Sequence, residues 1–330
     1  MKFFKTCNSI YIKVNLIVLK HRKVIYMEQK SMTAKICAFS RAHHNENNKV
    51  KIFEDSIASL LLTDDEYNQI SFYMSKGIKY FNTSFIGNDE EALKYIVDKE
   101  LSPNVLGRSS FTEKALEKAV NYGARQYLIF AAGYDTFAYR QPSWAKKIQI
   151  FEIDYPTTSK EKIEHLKNAG IVIQDNVTYI QGDFTEKMWE KSILENINFD
   201  MKKISFSSLL GLTYYLSKQK FIELISIISS MVPINSSIVF DYPTIMYYKD
   251  KNGKINKHSE LAEEANEKMI SAYEYEEIEK ILEDNGFLIF EHITPHEITE
   301  QYFNSYNEVN PSNFIIAPNG VNYCLAVKKY

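Results

Sequence analysis

Residues 126–156, QYLIFAAGYDTFAYRQPSWAKKIQIFEIDYP, constrain this chain more than any other stretch. An apolar run over 127–132 stops at Gly133, and a second over 148–153 stops at Asp154. β-Branched and aromatic runs that end at small residues or at an acid read as buried parallel strands running into tight loops, which places the chain in the α/β class. In open sheets of that class, ligands bind beyond the carboxyl ends of the strands. An acid at the tip of the second strand can accept hydrogen bonds from both hydroxyls of a ribose, so Asp154 is the first candidate for a nucleoside contact. The loop narrows the nucleotide further. A dinucleotide fingerprint needs three glycines, and their positions hold Ala131, Gly133 and Thr136. With two of the three missing, a pyrophosphate has less room, which disfavours a nicotinamide dinucleotide. A ligand with a ribose and no phosphate fits better.

AAGYDTFAYR followed by FEIDYP resembles the nucleotide loop and second strand of the leucine carboxyl methyltransferase family, a branch of the class I S-adenosylmethionine-dependent methyltransferases. That family reads G-A-G-x-D-T-x-x-[YFW]-R and then F-E-[VI]-D-x-P. The resemblance covers about 38–240, through RAHHNENN, IFEDSIASLLL, GRSSFTEKALEKAV, NVTYIQGDF and LLGLTYYLS. The loop departs from the pattern at Ala131, where the family has its first glycine; a methyl is tolerated there if φ is negative.

The resemblance implies an α/β, class I methyltransferase Rossmann-like fold with S-adenosyl-L-methionine as cofactor. Its seven-stranded mixed sheet would have the order 3-2-1-4-5-7-6, with helices on both faces and an N-terminal helical cap. It further implies that Arg108 pairs the methionine carboxylate, a bidentate task suited to guanidinium. By the same resemblance Ala131, Gly133 and Asp135 form the loop, Asp154 meets the ribose, Asp183 reaches the adenine amino group and Phe184 lies near the ring. Two plainer readings stand beside these. Arg108 could be a surface charge preceding a helix over 111–122, and Asp183 a cap for a helix over 185–194.

At 330 residues and a net charge of −3, with Lys and Arg dispersed, the chain has no electrostatic footprint for nucleic acid. Cys7, Cys37 and Cys324 are scattered, which suggests reduced thiols in a cytoplasm. Pro295 lies between His292 and His296 and spoils the helix that would aim both at a metal, so no metal is expected. The apolar run over 10–19 is broken by Lys13 and Asn15 and is too short to span a bilayer. We expect the true start at Met27 or Met32 and 1–31 to be an extension. Residues 32–330 would then form one domain: a cap (32–122), a cofactor-binding core (123–241), a lid insertion (242–272) and a sheet-completing end (273–330).

Along the chain, helices are expected over 52–62, 64–81 and 89–101, and over 111–122 behind a cap at 107–110. Further helices are expected over 156–168, 220–231 and 274–284, with strands over 177–181, 203–208, 237–241, 287–292 and 321–327. Family members carry an acid in a pattern like E-G-x-x-x-Y-L after the fourth strand, where this chain has Leu210 and Gly211. That leaves Thr213, Tyr214 and Tyr215 at the pocket mouth, and Tyr214, Tyr215 and Arg41 as positioning candidates with no catalytic residue assigned. Tyr302, Phe303, Tyr306 and Phe314, in an irregular segment over 294–320, are either pocket walls or loop packing.

The leading expectation is methyl transfer to an oxygen of a small-molecule carboxylate or hydroxyl. No base declares itself, which favours a carboxylate or an acidic phenol. The alternatives are esterification of a protein's C-terminal leucine, a non-catalytic S-adenosylmethionine- or S-adenosylhomocysteine-binding protein, and a nicotinamide oxidoreductase.

Overall fold

The structure is a computed structural model that describes residues 32–184, 186, 188–249, 257–264 and 267–330. The expected extension over 1–31 lies outside the described residues. At the centre is a seven-stranded sheet in the order β3-β2-β1-β4-β5-β7-β6. Its strands are β1 (Gln126–Phe130), β2 (Gln149–Asp154), β3 (Val177–Gln181), β4 (Ser205–Leu209), β5 (Ser237–Pro243), β6 (Phe287–Ile293) and β7 (Val321–Lys328). The first five pair in parallel, and β7 runs antiparallel between β5 and β6.

The alternation of side chains along β1 explains the two layers. Tyr127 and Ile129 point to one face, where Leu106, Phe111 and Leu116 of a helix over Ser102–Asn121 pack with Phe303 and Tyr306. Leu128 and Phe130 point to the other, against Phe221, Leu224, Ile225 and Ile228 of the helix Lys218–Met231 and Ile278 and Leu282 of the helix Tyr275–Asp284. Every residue of β1 is buried, as a central parallel strand requires. A third apolar cluster, including Phe39, Leu61, Ile70, Ala92 and Ile96, binds the N-terminal helices together and reaches Tyr134 and Leu166 of the core.

Several local expectations are corrected. Of the helix expected over 52–62 only a single turn, Ala58–Leu61, forms; Asp55 Oδ1 instead accepts from the Ile57 and Ala58 amides. The 64–81 helix breaks at Gly77 into Asp64–Lys76 and Ile78–Phe81. The helix expected from 111 starts nine residues earlier, at Ser102 with Pro103 in its first turn, because the preceding Val97–Leu101 turn feeds straight into it. Arg108 is therefore mid-helix. Gly107 fits there because a Cβ would come within 2.7 Å of the Tyr323 hydroxyl.

Near 185–194 the described residues are helical only over Lys191–Leu194. The segment expected to be irregular after 294 is a helical run, Pro295–Ile298, Thr299–Phe303 and Asn304–Val309. Thr294 caps it, with its amide and hydroxyl both donating to Glu297.

Candidate functional site

Beyond the carboxyl ends of β1, β2 and β4 lies a cavity of about 430 Å³. Its walls come from the β1 loop (Ala131, Gly133, Asp135), from Asp154 at the tip of β2, from Gly211 after β4, and from Arg41 and Arg108 on two helices. The loop is held from behind. Asp154 Oδ2 accepts from the Gly133 amide at 2.5 Å, and its Oδ1 accepts from the Tyr155 amide at 2.6 Å. Burial pushes the Asp154 carboxyl up while these two amides pull it down. Each oxygen retains a second lone pair for a ligand hydroxyl.

Ala131 sits at φ +53°, in the left-handed region where a Cβ is strained. The condition under which a methyl there is harmless, a negative φ, does not hold. Asp135 turns its carboxylate onto its own loop, Oδ1 accepting from the Phe137 amide at 2.8 Å.

Arg41 supports this loop. Its Nη2 donates to the Tyr134 carbonyl at 2.5 Å and its Nε to Asp55 Oδ2 at 2.8 Å. Asp55 also accepts from the Thr136 hydroxyl at 2.7 Å and lies 3.5 Å from Arg140. Burial alone would raise the Asp55 carboxyl, but the two guanidinium groups outweigh it and hold it below its ordinary range.

Arg108 faces the other end of the cavity. Nη1 donates to Asp241 Oδ2 at 3.0 Å, and Nη2 lies 3.7 Å from Cys37 Sγ. Asp241 also accepts from the Gly211 amide at 2.6 Å and from the Tyr214 hydroxyl at 3.0 Å. Burial works against the Arg108 charge, and the Asp241 carboxylate reverses that and raises its pKa. Asp241, near the end of β5, thus brings a carboxylate up against the segment after β4, which has none of its own. Gly211 makes room for the Arg108 guanidinium, with φ +66° and only 2.9 Å between a hypothetical Cβ and Arg108 Nη1. The signal was present in the sequence, because VFDYP at the end of β5 repeats the strand-then-acid pattern of FEIDYP at the end of β2.

Asp183 and Phe184 are outside the lining of this cavity; Phe184 packs on Phe130, which is part of it, at 5.9 Å between ring centres. Thr213 is buried, its hydroxyl donating to the Asp241 carbonyl at 2.7 Å, so its role is packing. Phe303 and Tyr306 belong to the core, Phe314 is exposed and Tyr302 lines a separate cleft, so none of the four lines this cavity.

A second cavity of about 150 Å³ adjoins the first between the cap and the helix Lys257–Glu264 of the expected lid. Tyr214 and Tyr247 line it, and Tyr215 lines both cavities. Polar contacts clip the lid helix to the cap. The Tyr80 hydroxyl donates to Glu260 at 2.6 Å, Lys257 donates to the Phe81 carbonyl at 2.9 Å, and His258 Nε2 lies 3.1 Å from Glu100 Oε2. Nothing in the sequence spacing pointed to the last pair, whose members are 158 residues apart.

Among the described residues, one cluster has the composition of a metal site: Glu66, Glu161 and His165. The Lys35 ammonium stands between its carboxylates, 2.6 Å from Glu66 and 2.9 Å from Glu161, and supplies the positive charge there. No helix among the described residues is long and apolar enough to cross a membrane.

Residues 34–229 match the family model of leucine carboxyl methyltransferase. YktD of Bacillus subtilis, which carries the name of an S-adenosyl-L-methionine-dependent methyltransferase, is 36% identical over 91% of this chain and 99% of its own. Rv3399 of Mycobacterium tuberculosis, named in the same way, is 27% identical over 54% of this chain and 49% of its own length. A DUF574 family protein from Streptomyces avermitilis shares the fold, with a TM-score of 0.54 and 13% identity over 77% of this chain and 97% of that one.

Proposed function

The chain belongs to the leucine carboxyl methyltransferase family, and on that premise we propose that it transfers the methyl group of S-adenosylmethionine to an oxygen of a small molecule. It is an S-adenosylmethionine-dependent methyltransferase. The observation that carries the site assignment is a single cavity whose lining runs from the Arg108 guanidinium, past the 131–135 loop, to the Asp154 carboxylate.

The donor set fits the cofactor. A guanidinium at one end suits an amino-acid carboxylate, a carboxylate at the other suits ribose hydroxyls, and about 430 Å³ lies within the range of cofactor sites. Arg108 has five N–H groups, and Asp241 and Cys37 engage two of its nitrogens, so the fork retains donors for a carboxylate. When bound, the cofactor supplies a methyl already activated by a sulfonium. The protein's task is then alignment and exclusion of water.

Arg108 and Asp154 fix the two ends of the cofactor. Arg41 and Asp55 keep the loop between them in shape, and the clipped lid helix shields the adjoining cavity from solvent. Burial pushes the hydroxyls of Tyr214 and Tyr215 well above their ordinary range, so both remain neutral donors that position and do not take protons. The roof formed by the lid contacts at Tyr80, Phe81 and Glu100 supports a small acceptor over a polypeptide terminus.

Calorimetry with S-adenosylmethionine, S-adenosylhomocysteine and NAD on the wild type and on Asp154→Ala tests the assignment. Binding of the first two, weakened in the variant, is expected. Absence of both, or preferential binding of NAD, would remove it.

A further inference from the structure

Given an S-adenosylmethionine site in the first cavity, the reading on which this inference rests, the amino-acid end of the cofactor sets a requirement that Arg108 meets only by half. That end is a zwitterion, with a carboxylate and an ammonium on one carbon. A guanidinium suits the carboxylate, and the ammonium needs an acceptor at the same end of the cavity.

Among the described residues, the carboxylates that line this cavity are Asp135, Asp154 and Glu267. Asp154 stands at the opposite end and accepts from two backbone amides. Asp135 is turned onto its own loop, where it accepts from the Phe137 amide. Asp241 is not part of the lining and is engaged by Arg108, the Gly211 amide and the Tyr214 hydroxyl. The segment after β4 offers Leu210 and Gly211, neither of them charged. Glu267 remains. Among the described residues its carboxylate has no hydrogen-bond or ion-pair partner, and the adjacent Lys268 turns instead to Glu263 at 2.7 Å.

The fold places Glu267 at the end where Arg108 stands. Glu267 and Lys268 line the first cavity and Met269 the second, so this segment crosses the seam between the two. Arg108, Gly211 and Tyr215 line both cavities and mark the same seam. Burial, and after it the Glu267 carboxylate, pushes the Tyr215 hydroxyl up, while Arg108 pulls it down; both charges therefore act on one side chain. Backbone bonds hold the segment on either side. The Glu267 amide donates to the Ala262 carbonyl at 2.8 Å, and the Ile270 amide to the Tyr214 carbonyl at 2.8 Å.

We propose that Glu267 accepts the ammonium of the cofactor's methionine end while Arg108 holds its carboxylate, so that the two side chains together recognise an amino-acid zwitterion. A carboxylate already in place and without a partner gives up no interaction within the protein when it takes the ammonium. Because Glu267 follows the lid helix Lys257–Glu264, this contact joins the lid segment to the cofactor site.

Calorimetry on the full chain tests this with S-adenosylmethionine, S-adenosylhomocysteine and desamino-S-adenosylhomocysteine, which carries hydrogen in place of the ammonium. The wild type should bind S-adenosylhomocysteine about tenfold more tightly than the desamino analogue, the scale of a hydrogen bond to a charged group. E267Q keeps the shape of the side chain and removes its charge. It should weaken S-adenosylmethionine and S-adenosylhomocysteine alike, by about tenfold, and leave the desamino analogue unchanged. The thermal midpoint of the unliganded protein should not move.

Equal losses for S-adenosylhomocysteine and its desamino analogue would make Glu267 a structural residue and overturn the proposal, as would E267Q binding all three like the wild type. A loss confined to S-adenosylmethionine would put the carboxylate at the sulfonium and overturn it as well. Failure of the wild type to bind both S-adenosylmethionine and S-adenosylhomocysteine would instead remove the cofactor assignment on which the proposal rests.

Discussion

The cavity that ends at Asp154 is built around strand ends and the loops that follow β1 and β4, whereas the cavity that adjoins it is lined mainly by side chains of the N-terminal helices and of the helix Lys257–Glu264. In the first, backbone amides and carbonyls do much of the holding: Gly133 and Tyr155 amides on Asp154, the Gly211 amide on Asp241, the Tyr134 carbonyl on Arg41. In the second, apolar side chains set most of the shape, with His258 Nε2 3.1 Å from Glu100 Oε2 at one side. A site framed by strand-end backbone is fixed with the sheet. One framed by helix faces can change its residues without disturbing the sheet, which suits it to variation in what it holds. Arg108 belongs to both.

Removing that shared residue should break the contrast most sharply. Arg108→Ala leaves the buried Asp241 carboxylate without its cation, a loss of about 3–5 kcal/mol in comparable sites. Cofactor affinity in calorimetry and the thermal midpoint should both fall. A variant that keeps full affinity would take Arg108 out of the site.

The cap and the sheet edge should also part company with pH. His44 is buried, its Nε2 accepts from the Ile52 amide at 3.0 Å, and burial holds its pKa down to about 4. As pH falls, the unfolded chain takes up this proton first. The stability contributed by neutral His44 is therefore complete above its ordinary value near 6.5 and is lost between there and about 4. The total is about 3 kcal/mol. Urea unfolding of the wild type against His44→Gln across that range should show the difference, and parallel pH profiles would contradict it.

Asp154→Ala sharpens the comparison from the other side. It should weaken S-adenosylmethionine by about 2 kcal/mol, the scale of hydrogen bonds to a charged group. Unchanged affinity would take Asp154 out of the site. The smallest expected effect is a gain. Ala131→Gly relieves a side chain at φ +53°, and should raise stability by about 1 kcal/mol and strengthen cofactor binding a few-fold. Tighter binding without stabilisation would locate the benefit in cavity space instead of strain.

Much of the core was legible in the order of residues. Runs such as QYLIF and IQIFEID specify buried strands because β-branched and aromatic residues fit a doubly covered parallel sheet, and the observed order of strands is the expected one. Gly133, Asp154 and Arg108, expected at the cofactor site, all line the first cavity, each lying at a strand end or in a motif at fixed spacing. Reading Arg108 as preceding its helix failed because local capping signals at 107–110 were overridden by a continuous helix from Ser102 that buries Leu106 and Gly107 against the sheet.

What the chain order alone determined is the layered α/β core and the strand-edge ligand site, since hydrophobic period and turn residues act over a few positions and survive being read one after another. The tertiary structure decided what is non-local. It brought Asp241 to Arg108 across 133 residues and His258 to Glu100 across 158, put Arg41 on the Tyr134 carbonyl, and gave Ala131 its positive φ. Those pairings depend on how helices pack over the sheet, and side-chain packing carries no fixed spacing in sequence from which they could have been read.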